Sequence, residues 1–296
     1  MQPAVVVDGL DMRYGTETVL RGISFEVQRG DVFALLGSNG AGKTTTVEIL
    51  EGHRRRTGGD VQVLGTDPAR GGRAFRDRLG IVLQSTAIDP DLTVIEAARL
   101  QASYHRDPLS PDVALSSIGL DAEHDKRVGV LSGGQRRRLD LALAIVGRPD
   151  LVFLDEPTTG FDPLARQIAW DLVDELRGQG VTIVLTTHYL DEVERLADKV
   201  AVLRDGSIAA LGSPAQLVGL ATEISFRATD DVVAALSTRF DLSRRGERAI
   251  VATRDPQGDL NRLTSVVLDN QWELIDLRVG PRDLESVFLE LVAGGG

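Results

Sequence analysis

From Ala4 to about Leu220, short apolar runs alternate with segments of helical spacing. VVVDGL, GISFEV, DVFALL, DVQVLG, LGIVLQ, LVFLDE, VTIVLTT and KVAVLR read as strands. Lys43–Glu51, Val94–Tyr104, Gln135–Val146, Pro163–Arg177 and Leu190–Ala197 read as helices between them. Strands so interleaved with helices predict an α/β fold with a largely parallel central sheet, and the earliest strands predict an antiparallel portion. GSIAALGSP, residues 206–214, adds a strand and a turn.

After about Ala221 the pattern restarts. EISFRA, RAIVAT and WELIDLRV predict strands, and Asp230–Phe240, Asp259–Asp269 and Arg282–Val292 predict helices, the last amphipathic. This β-α-β-α-β-α order predicts a small α+β domain, so the chain is expected to divide into residues 1–220 and 221–296.

Composition mainly excludes. At 42% apolar and 26% charged, the chain has the balance of an ordinary globular protein. Its longest uncharged run, Gly206–Thr222, is broken by Gly, Ser and Pro and does not suit a membrane span. The N-terminus lacks a basic-then-apolar signal segment. The absence of cysteine excludes disulfides and thiolate metal sites, which suits the cytoplasm. A net charge of -11 argues against broad nucleic-acid binding, so membrane association is expected to run through a partner protein. Only Lys43, Lys126 and Lys199 are lysines, so a motif that demands lysine is hard to match by accident.

One motif does demand it. GSNGAGKTT follows the strand DVFALL and opens a helix, matching G-x-x-x-x-G-K-[ST]. The candidate nucleotide-binding segment is therefore Gly37, Ser38, Asn39, Gly40, Ala41, Gly42, Lys43, Thr44 and Thr45. Gly37, Gly40 and Gly42 permit the bends that aim backbone N–H groups at phosphates. Lys43 is placed to reach the β and γ phosphates of ATP, and the Thr44 hydroxyl to ligate Mg²⁺. LVFLDEP adds two carboxylates at a strand tip: Asp155 as a metal ligand and Glu156 as general base for an attacking water. His188 ends another apolar strand and could contact the γ-phosphate or that water; Gln84 ends a third and could approach Mg²⁺. Taken singly, the carboxylates also read as a polar strand end, His188 as structural and Gln84 as a loop residue. Together they fit the rule that open α/β sheets bind ligands at the carboxyl ends of their strands. LSGGQRRRL, residues 131–139, is a second glycine turn entering a helix, with no lysine behind it. Its Arg136–Arg138 run reads as a solvated helix face.

GSNGAGKTT, Gln84, LSGGQ, LVFLDEP, TTGFDP and His188, in that order, resemble the ATP-binding subunit of an ABC transporter over about residues 4–220. The resemblance implies a P-loop NTPase core of the ABC ATPase type, with an antiparallel β subdomain and a helical subdomain at about 93–131. It assigns Lys43 and Thr44 to Walker A, Asp155 to Walker B, Glu156 as the catalytic glutamate and His188 as the switch histidine. Gln84 becomes the Q-loop residue and a Mg²⁺ ligand, and Asp162 the D-loop aspartate facing a second protomer. Tyr14 matches the aromatic that stacks on adenine, where composition alone would make it a surface tyrosine. Leu131, Ser132, Gly133, Gly134 and Gln135 become the signature turn that contacts ATP held by a second copy. The resemblance thus implies a homodimer that hydrolyses ATP with Mg²⁺, bound to a separately encoded permease at the cytoplasmic face of the membrane. TVIEAARLQASYH, TTGFDP and the ending DLESVFLEL resemble exporter ATPases of the daunorubicin-resistance type. An importer ATPase and an ABC ATPase without a permease are the other readings. Ser38 and Phe161 depart from the residues common at their positions, without removing a phosphate or metal contact.

Overall fold

The structure, a computed structural model, describes residues 2–82, 88–218, 222–253, 255–281, 284, 287 and 288. It divides into two units, Met1–Pro214 and Ala215–Gly296. The first begins with β1 (Val5–Tyr14), β2 (Glu17–Val27), β3 (Val32–Gly37), α1 (Lys43–Leu50) and β4 (Gly58–Val63). β1, β2 and β4 form an antiparallel sheet in the order β2-β1-β4. Val5, Val7, Leu10 and Met12 are buried along β1, while Asp8 and Arg13 are exposed, as expected of a sheet with one covered face.

β3 leaves this sheet and is buried at every position. The chain continues through α2 (Arg73–Arg76), β5 (Leu79–Val82), α3 (Val94–Ser103), α4 (Pro111–Ser116) and α5 (Gly133–Ile145). Then come β6 (Leu151–Asp155), α6 (Pro163–Gly178), β7 (Thr182–Thr187), α7 (Leu190–Leu196), β8 (Lys199–Arg204) and β9 (Ser207–Gly212). The central sheet has the order β5-β6-β7-β3-β8-β9 and is parallel except at the β8–β9 pair. β3, β6 and β7 carry no exposed residue, which explains their unbroken apolar runs.

In the segment expected to be a helical subdomain, about 93–131, α3 and α4 pack against each other, and α5, just beyond it, packs against both. Thr93 starts α3 with a capping box: its hydroxyl accepts from the Glu96 N–H at 3.3 Å, and the Glu96 carboxylate accepts from the Thr93 N–H at 2.8 Å. Val94, Ile95, Ala97, Ala98 and Ala102 form the buried face of α3. Leu100 and Tyr104 stay exposed beside a groove of about 490 Å³, which is also lined by Ile81, Leu92 and Leu143.

α8 (Pro214–Val218) leads into the second unit: β10 (Thr222–Arg227), α9 (Asp230–Leu236), β11 (Leu242–Arg245), β12 (Arg248–Thr253), α10 (Pro256–Asp269) and β13 (Ile275–Pro281). Its sheet, β11-β12-β10-β13, is wholly antiparallel, and Ile224, Phe226, Leu236, Ala249 and Leu263 lie in its core. The described order differs from the expected one by an extra strand. β11 is LSRR, with one apolar residue, and pairs with β12 in a hairpin. The last strand starts at Ile275 rather than Trp272, and α10 starts at Pro256, with Asp255 accepting from the Gly258 N–H at 3.1 Å as its cap. The helix expected over 282–292 lies mostly outside the described residues; Leu284 and Val287 within it are helical and buried. Among the described residues, no helix is long and apolar enough to cross a membrane.

Candidate functional site

Strand register gathers the predicted residues at one sheet edge. Leu36 of β3 lies opposite Thr187 of β7, and Asp155 of β6 lies opposite Thr186. Gly37, Glu156 and His188 therefore leave three adjacent parallel strands at the same level. Beyond Gly37 the chain bends through Gly40 and Gly42, at φ 83° and 104°, values that L side chains rarely adopt. A Cβ on Gly42 would lie 2.6 Å from Leu20 Cδ2, and one on Gly37 would lie 2.6 Å from the Leu203 carbonyl oxygen. The loop is thus confined from both sides, and the first N–H groups of α1 open where the chain turns.

Lys43 is buried within the loop, with Nζ donating to the carbonyls of Gly37 at 2.7 Å and Ser38 at 3.2 Å. Burial pushes its ammonium pKa down, and the nearby Glu156 and Asp155 oppose that. Two neutral carbonyls are weak partners for a desolvated cation; a polyphosphate is a stronger one. Thr44 is exposed, and its hydroxyl makes no hydrogen bond among the described residues. Thr46 instead donates to the Gly42 carbonyl at 2.8 Å.

Asp155 is buried at the end of β6, where its Oδ1 accepts from the Thr186 hydroxyl. Burial pushes its carboxyl pKa up, and Glu156 adds to that; the Thr186 bond, Arg137 and Lys43 pull it down. The next residue turns away sharply. Glu156 adopts φ 48°, and its N–H donates to both the carbonyl and the hydroxyl of Thr186 at 3.1 Å. A non-glycine residue held there is strained by about 1–3 kcal/mol. The kink separates the two carboxylates: Asp155 stays against β7, while Glu156 Oε1 lies 3.5 Å from His188 Nδ1. The Thr159 hydroxyl reaches Glu156 Oε2 at 3.4 Å.

The arginines after the glycine turn correct the sequence reading. Arg137 is part-buried, and its Nη2 donates to the carbonyls of Asp155 at 2.5 Å and Glu156 at 3.1 Å. Arg138 donates to the carbonyls of Ile118 and Gly119. Only Arg136 is exposed, its Nη2 lying 3.5 Å from the Val128 carbonyl. The signal was available: Arg137 precedes the buried Leu141 and Ile145 by four and eight residues, one helical face.

Ser132 caps α5. Its hydroxyl accepts from the Gln135 N–H at 3.2 Å, and the Gln135 side chain accepts from the Ser132 N–H at 3.0 Å. Gln135 Nε2 also donates to Glu123 at 2.9 Å, and Leu131 is buried beneath the turn. Gly133 and Gly134 differ from the P-loop glycines. Neither has a positive φ, and a Cβ on either would meet nothing within 4 Å, so nothing among the described residues requires glycine there.

Asp162 caps α6, accepting from the Ala165 N–H at 2.8 Å. Tyr14 ends β1 at the hairpin whose second strand carries Leu20 against the P-loop. The Arg54 guanidinium lies 5.0 Å over its ring and donates to Glu48 of α1 at 2.5 Å. Gln84 lies outside the described residues.

Comparison with known proteins places this geometry in context. Residues 20–159 match the family described as ABC transporter. The chain is 38% identical over 302 residues to the Nod factor export ATP-binding protein I of Ralstonia nicotianae, covering 98% of this chain and 94% of that protein. It is 41% identical over 219 residues to the daunorubicin resistance ATP-binding protein DrrA3 of Streptomyces coeruleorubidus, covering 72% and 69% respectively. A solved structure of an ATP-binding subunit of an ABC transporter is similar with a TM-score of 0.65 at 27% identity, covering 80% of this chain and 94% of that one.

Proposed function

The chain belongs to the ATP-binding subunits of ABC transporters, and from that membership we propose that it hydrolyses ATP to energise export through a separately encoded permease. The observation that carries the reading is the convergence of Lys43, Asp155, Glu156 and His188 on adjoining strand ends. Lys43 and the N–H groups of the 37–45 loop hold the β and γ phosphates. Glu156 accepts a proton from the attacking water as its oxygen bonds to the γ phosphorus and the bond to the bridging oxygen breaks. His188, beside Glu156, orients that water and the γ-phosphate. Tyr14 provides the ring on which adenine stacks.

Thr44 and Asp155 offer hard oxygen donors, the chemistry Mg²⁺ prefers, and the uncommitted Thr44 hydroxyl fits such a role. With Gln84 they would hold the ion, which neutralises charge on the phosphates when bound.

The glycines of the signature turn support a dimer. Glycine in a helix interior is less stable than alanine by roughly 0.5–1 kcal/mol and offers no helical advantage in a first turn, and nothing among the described residues demands it at 133 or 134. Close approach by an outside group accounts for both. Two chains meeting head to tail would set Ser132, Gly133 and Gly134 against the γ-phosphate in the other copy's P-loop, with Asp162 facing the same partner.

Export is supported by the similarity to a Nod factor export ATP-binding protein and a daunorubicin resistance ATP-binding protein. The 490 Å³ groove, with Leu100 and Tyr104 at its rim, is the surface for the permease, at the peripheral cytoplasmic position this implies. A photo-crosslinking residue in place of Tyr104 is expected to capture a multi-span membrane protein in the native cell. Purified chain is expected to turn over ATP only with Mg²⁺. Absence of turnover with Mg²⁺ would reject the hydrolytic assignment, and full turnover in excess chelator would reject the role of the metal; active chain that captures no membrane protein would reject the permease.

A further inference from the structure

The loop carrying Glu156 and the turn carrying His188 meet on a side chain that neither supplies. Glu192 lies in α7, four residues beyond His188, and is 1% exposed. Its Oε1 accepts from the Thr158 hydroxyl at 3.0 Å. Thr158 lies two residues beyond Glu156 and is equally buried. Thr187, the residue before His188, and Trp170 of α6 also favour the charged carboxylate, although burial, the largest influence, pushes its pKa up. Oε2 and Trp170 Nε1 are both buried, and neither completes a well-formed hydrogen bond among the described residues.

A carboxylate in such a place is a poor packing group, because its charge must be desolvated and part of its bonding capacity goes unused. What it connects explains it better. Glu156 is strained, and Thr186 anchors its backbone on the N-terminal side. The Thr158–Glu192 bond is the matching anchor on the C-terminal side, and it starts from the helix that follows His188. Outside this joint, Arg166 of α6 binds Asp191 at 2.9 Å and lies 5.2 Å over the Tyr189 ring, so α6 and α7 are already fastened together.

We propose that Glu192 is a positioning residue that ties the Glu156 loop to the His188 turn through Thr158, keeping the two side chains in register during turnover. The inference rests on the reading of Glu156 and His188 as the groups acting on ATP. It predicts a defect in the chemical step, with substrate binding spared.

The test uses full-length Glu192→Ala, Glu192→Gln and Thr158→Val chains, with Glu156→Gln alongside. Turnover and binding of a fluorescent ATP analogue are measured for each. Glu192→Ala and Thr158→Val are expected to lower kcat about 10- to 100-fold, with KM for ATP changed less than about threefold. Glu192→Gln, whose amide oxygen still accepts from Thr158, is expected to recover to within about threefold of the parent kcat. The Glu192→Ala/Thr158→Val double variant should lose no more than Glu192→Ala alone, because both remove one contact.

Parent-level kcat in Glu192→Ala and Thr158→Val, or kcat and ATP affinity falling together in them, overturns the proposal. Equal losses in the Gln and Ala variants also overturn it, since charge rather than the Thr158 bond would then matter. If Glu192→Ala does not fold, Thr158→Val decides alone: parent kcat rejects the tie, and a selective kcat loss supports it. A Glu156→Gln chain with normal turnover would place the fault in the catalytic reading itself. A dead Glu156→Gln chain beside fully active Glu192→Ala and Thr158→Val chains removes only the role of Glu192.

Discussion

A Glu156→Gln chain is expected to bind ATP as well as the parent does, while its turnover falls by about 10²- to 10⁴-fold, the usual contribution of a positioned base. The amide has the shape of the carboxylate and can keep the contacts to His188 and Thr159. What it cannot do is accept the water's proton. It also removes one negative charge close to where ATP phosphates would lie, beside Lys43. ATP should therefore accumulate unhydrolysed between two copies, and gel filtration should show an ATP-dependent dimer. Normal turnover in this variant would sink the assignment of Glu156.

The second large effect requires two chains. Lys43→Ala and Ser132→Arg variants should each be nearly inactive, one lacking the phosphate-binding cation and the other blocking the signature turn. Mixed, they should regain activity. In a mixed dimer, one site combines the intact P-loop of the Ser132→Arg chain with the intact turn of the Lys43→Ala chain. The other site contains both defects. Random pairing makes half the dimers mixed, so recovery should approach about a quarter of the parent rate if the sites act independently in a two-fold dimer. If mixed dimers form and remain dead, independent composite sites are ruled out.

The central fold was legible because its strands are buried on both faces and leave unbroken apolar runs. Asp155 and Glu156 stood out at the end of such a run, and Lys43 because lysine is so scarce. What could not be read was how side chains return to the backbone. Arg137 looked like one member of an arginine run, yet its face of α5 is set by Leu141 and Ile145. Its use, donating to the carbonyls of Asp155 and Glu156, depends on elements distant in sequence. Glu192 gave no signal, because a glutamate in the first turn of a helix normally faces solvent. β11 escaped because LSRR has almost no apolar content and is a strand only through its pairing with β12. The kink at Glu156 was equally hidden, since left-handed backbone is uncommon outside glycine.

The position of β3 between β7 and β8 has a consequence for the order in which the protein is made. A strand completed at residue 37 finds its partners only at residues 182–187 and 199–204. Closing so long a span carries an entropic penalty and slows folding. At ribosomal speeds the wait is roughly ten seconds. During that interval VFALLG is an apolar strand with both edges bare, a natural client for chaperones and a risk for aggregation. The 37–45 loop leaves the ribosome well before β7 and β8 do, and the strand it follows is completed only after them. A nascent chain halted before Lys199 would contain every residue of that loop while lacking the strand that closes β3 on its second side.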